Sequence, residues 1–153
     1  MTKVNVVVDY KLWLNKIKSP KKYLDKKLKN ISNNIIFFKK KKIIFIIFLT
    51  NSLYMKKLNK KFRKINKPTD VLSFPSFSNG KIKFSKEKKI YIGDIAISYE
   101  ILNQRSKKSN FLVEFDKVWI HGFLHLLGYN HIKNKDYFKM NKLEKKVLNI
   151  IYS

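Results

Sequence analysis

The chain has no cysteine, so no disulfide can staple it and no thiolate can hold a metal. That absence is consistent with a cytoplasmic protein. Proline and glycine are scarce, three and four in 153 residues, which excludes a collagen-like or linker-rich chain. Acidic residues are few: ten Asp and Glu stand against thirty-five Lys and Arg, a net charge of +25. The longest clean apolar run, residues 43–49, is far short of the ~20 residues that a membrane-spanning helix needs. No basic stretch leads into an apolar segment at the start, so no signal peptide is expected. Arginine and histidine are scarcer still: two of the first, Arg63 and Arg105, and three of the second.

What is present suits one globular domain over residues 1–153, with 44% hydrophobic residues to supply a core. Residues 4–8 and 42–50 are β-branched and read as strands, the second of them central. Residues 71–74 and 90–98 give two more strands. Between those two, residues 76–89 are polar and contain Asn79-Gly80, a hairpin loop or flap. Residues 10–31 read as two short helices, the second opening at Pro20. Asn51 or Ser52 caps a further helix, and others are expected over residues 98–106, 111–127 and 136–150. This order predicts an α+β domain: a small mixed β-sheet of about four strands packed with about five or six helices. The histidine-bearing helix, residues 111–127, is expected at its centre.

All three histidines lie in one stretch of eleven residues, His121-Gly122-Phe123-Leu124-His125-Leu126-Leu127-Gly128-Tyr129-Asn130-His131. His121 and His125 are four apart, hence on one helix face. Gly128 can take a positive φ and end the helix, letting His131 return to the same point. Three converging imidazoles suit one Zn(2+) per chain with an open fourth position, whereas a closed structural site would need a carboxylate as fourth ligand. An open zinc site acidifies bound water and makes hydrolysis possible. Glu114, two turns earlier and roughly 10 Å away along the axis, is too far to be a ligand. Position 122 is Gly where zinc peptidases of the H-E-x-x-H type carry their general base. The spacing therefore offers a metal without the usual peptidase mechanism.

The charge favours polyanions such as RNA. Of the thirty-five basic residues all but two are Lys, alongside many Ile, Asn and Phe, so A/T-rich codons also account for part of it. In a chain where Lys fills nearly every basic position, Arg63 answers a geometric need: beside Lys60 and Lys61 its guanidinium can clamp a phosphate bidentately. Its plain structural alternative is a surface arginine at a helix C-terminus. Asp70 can cap a turn, and Asp94, an acid in an apolar strand, needs a partner.

The stretch 121–131 resembles the H-G-x-L-H-L-x-G-Y-D-H signature of the YbeY family of rRNA-maturation endoribonucleases. Leu58-Asn59 with Phe62-Arg63 resembles that family's L-N-x-x-[YF]-R, residues 68–75 its P-T-D-V-L-S-F-P, and Gly93-Asp94-Ile95 its G-D-I. Met140, Glu144 and Leu148 fall where its terminal helix has similar residues. The resemblance implies a zinc-dependent, single-strand-preferring endoribonuclease of the cytoplasm. It implies a role in 3′-end maturation of 16S rRNA and in ribosome quality control, with small-subunit rRNA precursor and the ribosome as partners. On it His121, His125 and His131 are the metal ligands and Arg63 is the functional cleft arginine. Asn130 stands where the family has Asp, a position from which a ligating imidazole can be oriented. Two other readings are open to the residues: another zinc hydrolase, or an RNA-binding module with a structural metal.

Overall fold

The computed structural model describes residues 2–35, 41–77 and 86–153. Four strands form one sheet: β1 (Thr2–Val8), β2 (Lys42–Thr50), β3 (Val71–Pro75) and β4 (Lys89–Ser98). Their order is β1-β2-β4-β3, with β1, β2 and β4 parallel and β3 antiparallel to β4 at the edge. Among the described residues six α-helices accompany them: α1 (Trp13–Lys16), α2 (Pro20–Asn34), α3 (Ser52–Arg63), α4 (Tyr99–Arg105), α5 (Phe111–Leu126) and α6 (Asn134–Tyr152). The expected mixed sheet and helix count are observed, and β2 is an interior strand. Residues 78–85 of the expected loop, Asn79-Gly80 among them, lie outside the described residues.

Local chemistry accounts for the boundaries. Pro20 opens α2, where its missing N–H is harmless. Asn51 caps α3 by accepting from Tyr54 N at 2.9 Å, and Asn110 caps α5 through Leu112 N and Val113 N. Strand β2 alternates buried and half-buried residues, so Ile43, Phe45, Ile47 and Leu49 face one layer and Ile44, Ile46 and Phe48 the other. The first set joins Trp119, Phe123, Leu24 and Leu28 in the main core. A smaller cluster of Met55, Leu72 and Ala96 forms with Phe48, Leu58 and Phe74 packed against it, so α3 contributes apolar contacts on the sheet's other side.

Two features set the position of α5. Gly93 has φ 132°, and a Cβ there would lie 2.2 Å from the Phe74 carbonyl; the β2–β4 register shifts beside it. Farther along α5, Asp116 is fully buried and fully used. It accepts from Tyr23 Oη (2.8 Å), Tyr152 Oη (2.6 Å) and Trp119 Nε1 (2.8 Å), with Lys27 Nζ 3.9 Å away. Burial, then the Asp116 charge, raises the Tyr23 hydroxyl pKa far above the ordinary phenol value. One carboxylate thus joins α2, α5 and the end of α6, the helix that will matter next.

Candidate metal centre

Helix α5 ends as the sequence suggested. Gly128 has φ 97°, Tyr129 N donates to Leu124 O (3.1 Å) and Gly128 N to His125 O (3.0 Å). This is the paired capping pattern of a Schellman motif. It turns the chain back and brings His131 to the other two histidines. Ring centroids lie 4.6 Å apart for His121–His125, 5.1 Å for His125–His131 and 5.5 Å for His121–His131. One nitrogen of each ring lies within 4.8 Å of the others. His121 and His125 are half-buried, and His131 is exposed.

The hydrogen bonds decide which nitrogen of two of the rings is free. His121 Nδ1 meets Glu144 Oε1 at 2.6 Å, and His125 Nδ1 meets the Tyr129 carbonyl at 2.9 Å. A carboxylate and a carbonyl only accept, so both Nδ1 atoms carry hydrogen. In the neutral rings both Nε2 atoms are then bare lone pairs, yet they face each other at 3.0 Å. Protonating His125 does not relieve this at neutral pH. Burial, then the neighbouring His121, push its pKa down to about 4. Two lone pairs held in contact are complementary to a cation between them. Tetrahedral zinc with Zn–N of about 2.0–2.1 Å would place its ligand nitrogens about 3.3 Å apart. The donor set therefore fits such a metal.

Glu144 is the site residue whose role the local sequence could not show. It lies on α6, twenty-three residues from His121, and only the packing of α6 on α5 brings the two together. It bonds the Nδ1 side of His121, turned away from the converging nitrogens, so it is not a fourth member of the cluster. Among the described residues the only such cluster is the three histidines. Asn130 makes a local contact beside the cluster. Its Oδ1 accepts from Ile132 N at 3.4 Å, a turn contact, while Glu144 and the Tyr129 carbonyl hold the imidazoles. Glu114 accepts from Ser109 Oγ at 2.9 Å near the start of α5, a structural task.

The absent peptidase base has a steric reason. Gly122 is buried against the sheet: a Cβ there would lie 3.0 Å from Ile95 Cγ2 and 3.1 Å from Ser73 Oγ. Ser73 Oγ donates to the Gly122 carbonyl at 3.1 Å, and the Ser73 carbonyl accepts from Arg63 Nη2 at 3.2 Å. Arg63 is exposed at the end of α3, joined through β3 to the histidine helix, with most of its donors uncommitted among the described residues. Lys60 and Lys61 are exposed in the same turn, Lys61 Nζ lying 5.3 Å from the Phe62 ring centroid. Other motif residues are structural. Asn59 is buried and donates to Lys67 O; Asp70 accepts from Val71 N and pairs with Arg105; Asp94 accepts from Tyr91 Oη.

Fold and site together define an α+β protein with a three-imidazole cluster able to hold one metal ion. The sequence profile of the family described as endoribonuclease YbeY matches residues 11–152. The chain belongs to that family. It is 47% identical over 148 residues to endoribonuclease YbeY of Pelagibacter ubique, covering 94% of this chain and 92% of the relative. The corresponding protein of Ehrlichia canis is 35% identical over 95% of this chain and 90% of its own length. A Thermotoga maritima protein, solved in solution, aligns with 99% of this chain and 89% of its own at TM-score 0.57 and 25% identity. No described helix is long and apolar enough to cross a membrane.

Proposed function

We propose that this protein is a zinc-dependent, single-strand-preferring endoribonuclease. In this reading it acts in the cytoplasm, as one domain, on the 3′ end of small-subunit rRNA precursor and in ribosome quality control. The observation that carries the reading is the convergence of the three imidazoles, with the Nε2 atoms of His121 and His125 facing each other at 3.0 Å and both Nδ1 atoms committed elsewhere. His121, His125 and His131 would hold the ion, which when bound supplies a Lewis acid for phosphodiester hydrolysis. Glu144 keeps the proton on His121 Nδ1 and fixes the ring's orientation. The Tyr129 carbonyl does the same for His125. Arg63 offers its free N–H donors to a phosphate and to the charge that develops there, with Lys60 and Lys61 beside it. The remaining positive charge draws RNA to the surface.

The direct test incubates purified protein with an rRNA precursor, as isolated, after chelation and after zinc is restored, beside a His121→Ala control. Cleavage should vanish with the metal and return with it; cleavage indifferent to chelator refutes the reading. In the same assay Arg63→Glu should abolish cutting while zinc content and melting temperature stay as in the wild type. Arg63→Lys keeps the charge and loses the fork, so it should cost about 1–2 kcal/mol at the transition state. Full cleavage by Arg63→Glu would remove Arg63 from the site.

Glu144→Ala should weaken zinc affinity about 10- to 100-fold, the usual effect of losing a carboxylate behind a ligating imidazole. Competition with a chromogenic chelator measures it. An unchanged dissociation constant would mean that the 2.6 Å contact does nothing for the metal.

A further inference from the structure

Beside the imidazoles lies a cleft of about 110 Å³ lined by His121, His131, Tyr137, Met140, Asn141 and Glu144. At roughly 30 Å³ per water it has room for three or four waters, or for one six-membered ring. Its floor is Met140, only 2% exposed, and its wall is the half-exposed ring of Tyr137. Close by in the chain, Ile132 is 87% and Phe138 70% exposed, with Phe138 edge-on to Tyr137 at 5.8 Å. Beside the Tyr137 hydroxyl and the His131 ring, two further polar groups in this lining are uncommitted among the described residues. The Asn141 carboxamide makes no hydrogen bond, and Glu144 bonds His121 through Oε1 alone, leaving Oε2 open.

We propose that this cleft is a base pocket that takes one unstacked pyrimidine of the RNA, cytosine ahead of uracil. Its location next to the cut rests on the metal-site reading above. The pairing follows from the groups present. Cytosine offers its N4 amino group to the open Glu144 oxygen and accepts at N3 from the Asn141 amide. Uracil would set its O4 carbonyl against the same carboxylate, two acceptors with no hydrogen between them. A purine carries a second fused ring, which would have to project out of the cleft and lose contact with its lining. Tyr137 gives the ring an aromatic partner, as in proteins that bind single strands. A base still paired in a duplex cannot enter, so the pocket also selects unpaired RNA without touching a second strand.

The test has a binding arm and a cleavage arm. CMP, UMP, AMP and GMP are titrated into zinc-loaded wild type, Tyr137→Ala and Asn141→Ala, with chemical shifts followed by NMR. CMP should bind about tenfold tighter than the other three. Each variant should lose about tenfold in CMP affinity, as for one stacked base or one base-edge contact, with zinc content and melting temperature unchanged. In parallel, a random single-stranded RNA pool is cut and the new ends are sequenced. Wild type should show cytosine enriched at one fixed position beside the cut, and Asn141→Ala should not. Equal binding of the four nucleotides, or a preference that survives in Asn141→Ala, overturns the pocket. A CMP preference without cleavage leaves the pocket standing and removes the nuclease reading; cleavage with no base preference does the reverse.

Discussion

His125→Ala should leave the purified protein with almost no zinc and no RNA cleavage. His125 is the middle of the cluster: its Nε2 is 3.0 Å from that of His121, and its ring centroid is 5.1 Å from that of His131. Removing it deletes one of the three proposed ligands and the bond that ties its ring to the Tyr129 carbonyl. Affinity should fall by more than the roughly hundredfold upper end seen when an outer partner is removed. The loss has a second signature. A ligand present at a hundred times its dissociation constant stabilises the folded state by about 2.7 kcal/mol, so added zinc should raise the wild-type melting temperature and leave the variant's unmoved. Full zinc content in His125→Ala by elemental analysis would end the assignment of the cluster.

Gly122→Glu should not turn the protein into a peptidase; it should barely fold. The new Cβ would press on Ile95 and Ser73, both buried, and overpacking of this kind costs about 1–3 kcal/mol. The carboxylate would then be buried without a partner, which adds several kcal/mol. The sum is comparable to the whole stability of a typical domain, about 5–15 kcal/mol. Each kcal/mol is worth roughly 2–4 °C at this size, so a fall of more than 10 °C is expected by circular dichroism. Gly122→Ala separates the terms. Its contact is tight, but alanine gains up to about 1 kcal/mol in helix propensity, so the net change should be small. A Gly122→Glu protein melting like the wild type would mean that this face of α5 is not packed on the sheet.

These two positions show what the sequence could and could not convey. His121, His125, Gly128 and His131 are read from spacing because a helix repeat and a glycine cap are local geometry. For the same reason the limits of β2, the Asn51 cap and the opening of α2 at Pro20 were legible. Gly122 was visible only as a missing base, since which side of α5 meets the sheet depends on β3 and β4. Glu144 sits on another helix, and its pairing with His121 is set by how α6 packs. The Asn130 contact with Ile132 N was not legible either, since it depends on how the chain turns after α5. Strand order was equally illegible: that β4 lies between β2 and β3 is a tertiary choice.

The buried Asp116 has a practical consequence for anyone handling the protein. Helix α6 is fastened at two points, Glu144 on His121 and Tyr152 on Asp116, some two turns apart. Whatever disturbs the last turn also frees three hydrogen-bond donors' only shared acceptor to rearrange in the interior. A purification handle fused directly after Ser153, or a chain trimmed before Tyr152, acts on that fastening and through the helix on the carboxylate behind His121. A handle placed ahead of β1 enters on a different strand and spares it.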